Sequence, residues 1–226
     1  MKQLLLRMAL PAQSKLFPDQ FREAMARRVG EVPGLFHYEE NGRTAQGRPA
    51  VRFLGGKNWV GIVADEAASD LLYGQVGAAI ETVTEHCGRP VSVNVEEHEV
   101  SLALRDAPRQ YRITRMALKR RTDPARNKPI EELVKERLLS SIEAQALRFG
   151  FDCPVRSELD MHLSIGQQFG MPLRTTTGTT KEYITVVSAE FTTHLHLGGF
   201  WFGGNLTARG HGRITAHRPQ VRSAHA

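Results

Sequence analysis

The stretch L195-HLGGFWFGGNLTARGHGRITAH-R218 packs six glycines, three aromatic residues, three arginines and three histidines into 24 positions. Glycine is costly to order, so such density marks a tight backbone path or a close approach to a ligand. The stretch lacks the Gly-x4-Gly-Lys-Ser/Thr pattern of a phosphate-binding loop. "GGFWFGG" is not a dinucleotide fingerprint either, because a strand rather than a helix is expected after it. Trp201 and Phe202 read as core anchors. "TARGHGRI" differs: Gly210 and Gly212 alternate with Arg209, His211 and Arg213. That alternation suits a phosphodiester backbone, with glycine allowing close approach and the intervening side chains supplying charge and hydrogen bonds.

The rest of the chain agrees with a polyanionic partner. It has 226 residues, a net charge of +6 and a pI near 9.6, which favours nucleic acid over other partners. No apolar run approaches the ~20 residues of a spanning helix. The apolar start "KQLLLRMAL" is short and interrupted by Arg7, so it reads as a strand of a cytoplasmic protein with no membrane partner. Cys87 and Cys153 lie far apart without metal-ligand spacing and read as reduced thiols.

The pattern outward from the termini is α+β. A strand over 2–10 precedes a helix over 18–30, with Asp19 near its cap, Phe21 and Met25 at i and i+4, and Gly30 as its stop. Strands follow around the Gly55-Gly56 turn, then a helix over 65–88 and a strand over 90–104. That order is the ferredoxin-like unit. A second unit opens with an alternating strand over 109–118 and a basic loop over 119–128. A long helix begins at Pro129, with Glu131 and Glu132 in its first turn and Gly150 at its end. Strands and loops complete the chain. Two ferredoxin-like units are expected, over 1–105 and 106–226, the second carrying the basic loop and the glycine-rich loop.

The run "LGGFWFGGNLTARGHGRITAHR" resembles the C-terminal glycine-rich loop of the RAMP superfamily, the RNA-binding proteins of CRISPR systems. It is most similar to the type IV CRISPR RNA-processing endoribonucleases, and "FPDQFREAMARRV" followed by "VPGLF" and a basic turn fits the same layout. The resemblance implies cleavage of a CRISPR repeat RNA hairpin without metal or cofactor. It also implies that the mature crRNA stays bound and joins other effector-complex subunits. The alternatives are a non-catalytic RAMP subunit that grips guide RNA and an unrelated basic nucleic-acid-binding regulator.

Metal-free cleavage uses the adjacent 2′-hydroxyl as nucleophile, a base and an acid for its two protons, and a cation for the charge on the phosphorane. The products are a 2′,3′-cyclic phosphate and a 5′-hydroxyl. Histidine suits the proton steps, and arginine suits the phosphate. The resemblance directs attention to the region after the first helix, which holds His37 and Tyr38. Members that dispense with histidine raise Arg22 and Arg43 as alternatives. Candidate RNA contacts are Arg48, the basic-loop residues Lys119, Arg120, Arg121, Arg126 and Lys128, and Arg209, Gly210, His211, Gly212 and Arg213. His194 and His196 share a strand face, but no acidic or cysteine partner has metal-site spacing, so ordinary polar-face histidines are expected.

Overall fold

The computed structural model describes residues 1–30, 32–37, 47–119, 127–154, 156, 159–174 and 180–217. Tyr38, Arg43, Arg120, Arg121 and Arg126 lie outside the described residues.

The first unit runs β1 (Lys2–Ala9), α1 (Pro18–Val29), β2 (Val51–Gly56), β3 (Trp59–Asp65), α2 (Ser69–Tyr73), α3 (Val76–Cys87) and β4 (Val93–Glu99). Its antiparallel sheet has the order β2-β3-β1-β4, that of a ferredoxin-like unit. Alternation along β1 divides its two faces. Leu4, Leu6 and Met8 pack under α1 and α3 with Phe21, Met25, Phe53, Ile62, Ala79 and Val83. Leu5 turns the other way and joins Leu54, Val63, Phe200 and Phe202 in a smaller cluster. The open face of the first sheet is therefore covered by the glycine-rich stretch.

The second unit runs β5 (Ser101–Leu118), α4 (Ile130–Arg148), β6 (Met161–Arg174), β7 (Thr180–Gly198), β8 (Trp201–Phe202) and β9 (Arg213–Ala216). Its sheet order is β6-β7-β5-β9-β8. Within it, β6-β7-β5-β9 repeats the arrangement of the first unit. The glycine-rich segment, with β8, makes the crossover that α2 and α3 make in the first unit. Leu138 and Ile142 of α4 pack against Ile113, Val187, Phe191 and Trp201. Trp201 and Phe202 are core anchors as expected, 1% and 0% exposed.

Three local expectations are corrected. Asp19 does not cap α1; the Phe17 N–H donates to Gln20 Oε1 at 3.1 Å instead. The helix expected over 65–88 breaks at Gly74-Gln75, where the Gly74 and Gln75 N–H groups close a turn on Asp70 and Leu72 carbonyls. The apolar alternation of 90–104 spans two strands. Val100 is buried between them, its N–H donating to Met1 O at 3.0 Å, and the chain passes there from the first sheet to the second.

Candidate nucleic-acid interface

His37 stands where a turn leaves the first core. Gly34 takes φ +79° and opens the turn. Leu35 and Phe36 then bury themselves, and the Phe36 ring stacks on Phe53 at 5.8 Å. With two consecutive anchors inside, the next residue is thrown outward, and His37 adopts φ +63° and remains half-buried. Arg22 fixes the turn from α1: its Nη2 donates to Phe36 O at 2.8 Å, and its guanidinium lies 5.5 Å from the Phe36 ring centroid. Burial pushes the His37 pKa below its ordinary value, and the charges of Arg22, Arg52 and Arg148 push it the same way. Arg22 and His37 are thus brought together, and the imidazole is held neutral near pH 7.

The positive field has a defined source at the seam between the units. Asp65, ending β3, accepts from Arg52 at 2.9 and 3.3 Å, from Arg148 Nη2 at 2.9 Å and from Gln3 Nε2 at 3.0 Å. The Arg52 and Asp65 side chains are 1% and 3% exposed. One buried carboxylate facing two guanidinium groups leaves a net positive charge. Gln3 also bonds Phe200 through both its amide atoms, and Gln145 of α4 does the same for Phe202. Arg52, Asp65, Gln3 and Arg148 escaped the sequence reading. The available signal was an arginine inside the otherwise apolar "VRFL" strand.

Arg48, expected as an RNA contact, is half-buried and bonded within this seam. Its guanidinium donates to Gly204 O at 3.0 Å and to Ser141 Oγ at 2.5 Å. Arg148 answers from the other unit, donating to Arg48 O at 2.9 Å and Pro49 O at 3.1 Å. Burial is the first cause holding both arginines below their ordinary pKa.

Gly210 and Gly212, expected to offer N–H groups to phosphate, have both N–H groups bonded within the chain. The Gly210 N–H is taken by Thr207 O at 3.1 Å and the Gly212 N–H by Thr114 O at 2.9 Å. Both have positive φ, +80° and +72°. A Cβ on Gly210 would meet Phe53 O at 2.6 Å, and one on Gly212 would meet Gly203 O at 1.8 Å. These glycines are small because their own chain crowds them. His211 is 2% exposed, with Nδ1 3.0 Å from Arg115 O and Nε2 3.7 Å from Asp19. It is part of the interior and is not presented to solvent.

Other expected contacts remain at the surface. Arg209 is half-exposed, and its side chain has no ion pair or hydrogen bond among the described residues. The Arg213 guanidinium lies over the Trp59 and Phe200 rings at 5.5 and 5.2 Å. Lys128 pairs with Glu136 of α4, and the Lys119 N–H donates to Asn205 Oδ1 at 3.3 Å. His194 and His196 share one face of β7, each ring 2.9–3.0 Å from a β5 carbonyl, Arg105 O and Ala107 O. No helix among the described residues is long and apolar enough to cross a membrane.

Two ferredoxin-like units closed by a glycine-rich crossover, with a basic seam between them, define the RAMP class of CRISPR proteins. The chain belongs to the type IV CRISPR-associated endonuclease family Csf5, whose model matches residues 1–219. A solved structure of Csf5, a CRISPR-Cas type IV Cas6 crRNA endonuclease, is 33% identical with a TM-score of 0.84, covering 96% of this chain and 100% of that one. A crystal structure of Cas6b shares the fold at 13% identity and a TM-score of 0.69, with the same coverage of both chains. A second Cas6b structure, titled a CRISPR RNA processing endoribonuclease, matches at 13% identity, a TM-score of 0.61 and the same coverage. No curated protein sequence matches this chain.

Proposed function

We propose that this endoribonuclease cleaves CRISPR repeat RNA without a metal ion, by attack of a 2′-hydroxyl on the neighbouring phosphorus. The O2′–P bond forms as the P–O5′ bond breaks, giving a 2′,3′-cyclic phosphate and a 5′-hydroxyl. The observation carrying this reading is His37. It projects from a pinned turn, and burial and three arginines hold it neutral, so it can accept the 2′ proton. Arg22 holds the turn beneath it and adds positive charge near the phosphate that would sit there. Tyr38 and Arg43 follow in sequence as candidates for the leaving-group proton and for phosphate contact. Arg209 and Arg213, with the basic segment from Lys119 to Lys128, supply cations for the RNA backbone. The cleaved RNA stays bound and carries the protein into an effector complex with other CRISPR subunits.

Single-turnover cleavage of repeat RNA by His37→Ala tests the assignment. A general base contributes about 10²–10⁴-fold, so the variant should lose at least about a hundredfold in rate while binding RNA normally. A wild-type rate in that variant removes His37 from the mechanism.

A further inference from the structure

The open face of the first sheet has a second end. Pairing of β1 with β3 sets Gln3 opposite Asp65, Leu5 opposite Val63, Arg7 opposite Gly61 and Ala9 opposite Trp59. At ~3.3 Å per residue, Trp59 lies about 20 Å along β3 from the Asp65 hub. Phe200 is tied to the hub through Gln3, and from it a run of side chains leads away along the sheet to Trp59 and Arg7.

The Arg7 guanidinium is 5.1 Å from the Trp59 ring centroid. Arg213 lies 5.5 Å from the same ring and 5.2 Å from Phe200. His98 of β4 meets Phe200 edge-on at 4.8 Å. Arg7, Trp59, Arg213, Phe200 and His98 therefore form one continuous run in which cationic or titratable groups alternate with aromatic rings. The hairpin is shaped for the indole, since a Cβ on Gly56 would lie 2.2 Å from Trp59 Nε1. Trp59 is still half-exposed, and Arg7 is exposed.

His98 has Glu96 3.2 Å away, but the two arginines of the run are not balanced. Neither Arg7 nor Arg213 has a carboxylate partner among the described residues, and Arg213 Nε is buried with no hydrogen-bond partner. Burial, and then Arg7, hold the Arg213 guanidinium below its ordinary pKa. Two like charges sharing one indole, one of them partly desolvated, are costly unless an anion joins them. A cleft of about 360 Å³ opens beside them, lined by Arg109, Tyr111, Phe200, Trp201 and Arg213. Arg109 stands exposed at that cleft, 5.7 Å from the Tyr111 ring and without an ion pair among the described residues.

We propose that this run is a track for a single-stranded segment of the RNA, with phosphates on Arg7, Arg213 and Arg109 and one base stacked on Trp59. The proposal rests on the RNA-processing reading and adds to it a second contact region, several nucleotides from His37. A single strand is specified because an indole takes a base only when that base has left its own stack. Guanidinium groups beside aromatic faces suit alternating phosphates and bases.

The test compares two RNAs, a repeat hairpin with its single-stranded flanks and the hairpin alone. Each is 2′-deoxy at any nucleotide the wild type cleaves. The flanked RNA should quench Trp59 fluorescence, and Trp59→Phe should abolish that change, since Trp201 is 1% exposed. Arg7→Gln and Arg213→Gln should each bind the flanked RNA several-fold more weakly, with the salt slope reduced by about 0.7 per lost contact. Arg7→Gln should not alter binding of the bare hairpin. The proposal is overturned if both variants keep the wild-type affinity and slope, if Arg7→Gln weakens both RNAs equally, or if quenching survives in Trp59→Phe. Failure of the wild type to cleave unmodified repeat RNA is a separate result. It sinks the processing reading and leaves the binding comparison readable.

Discussion

Replacing Gly212 by alanine should unfold the protein well before it abolishes RNA recognition. Gly212 sits at φ +72°, a conformation that costs an L-residue about 1–2 kcal/mol. Its new Cβ would fall 1.8 Å from Gly203 O, and the obstruction is backbone, which cannot swing aside as a side-chain tip would. Forced shifts of this kind cost about 1–3 kcal/mol. They also pull apart the 2.9 Å bond from Gly212 N to Thr114 O and the 2.8 Å bond from Gly203 N to Gly212 O, worth about 1 kcal/mol each. Together these amount to roughly 4–7 kcal/mol. At about 2–4 °C per kcal/mol for a chain of this size, Tm should fall by at least about 8 °C. Gly170→Ala is the control. It has no atom within 4 Å of a built Cβ and no positive φ, so its Tm should hold or rise slightly. Differential scanning calorimetry on both variants decides the matter. A Gly212→Ala protein that melts with the wild type would refute the crowding argument and return the glycine to a ligand-facing role.

Three further outcomes are expected. Asp65→Asn leaves buried Arg52 and half-buried Arg148 without their anion, and breaking the buried Arg52 pair costs about 3–5 kcal/mol, read as a lower denaturant midpoint. Cleavage that needs neutral His37 should rise with pH and level off. Its half-maximal point should lie below the ordinary 6.5, because burial and three arginines favour the uncharged ring, and a midpoint above 6.5 would contradict that environment. Arg209→Ala should leave stability within about 0.5 kcal/mol, since the side chain has no partner among the described residues, yet weaken RNA binding in a filter assay.

Much of the first unit was legible because its signals are local. Alternation in "KQLLLRMA", helical spacing of Phe21 and Met25, and Gly30 and Gly88 as stops each act within a few residues. The break at Val100 had a local signal that the reading passed over: the apolar positions shift from Val91, Val93 and Val95 to Val100, Leu102 and Leu104 across the polar "EEHE", while the bond from Val100 N to Met1 O is remote in sequence. The seam was illegible because its bonds are remote in the same way. Arg48 finds Gly204 156 residues away, and Arg148 finds Asp65 in the other unit. The glycine cluster shows a different limit. Composition announces a close approach but cannot say to what. Only positive φ and the position of Gly203 O show that the chain approaches itself. Arg213 was singled out as a candidate RNA contact, but its neighbours Arg7 and Trp59 lie in the first unit, where nothing in the sequence links them to it.

The most direct test of the central claim is to incubate purified protein with its own CRISPR repeat RNA in excess EDTA and determine the end groups of the products. Cleavage at one position, with a 2′,3′-cyclic phosphate upstream and a 5′-hydroxyl downstream, is the result predicted. Cleavage only when Mg²⁺ is restored, or an upstream product ending in a free 3′-hydroxyl, would contradict it.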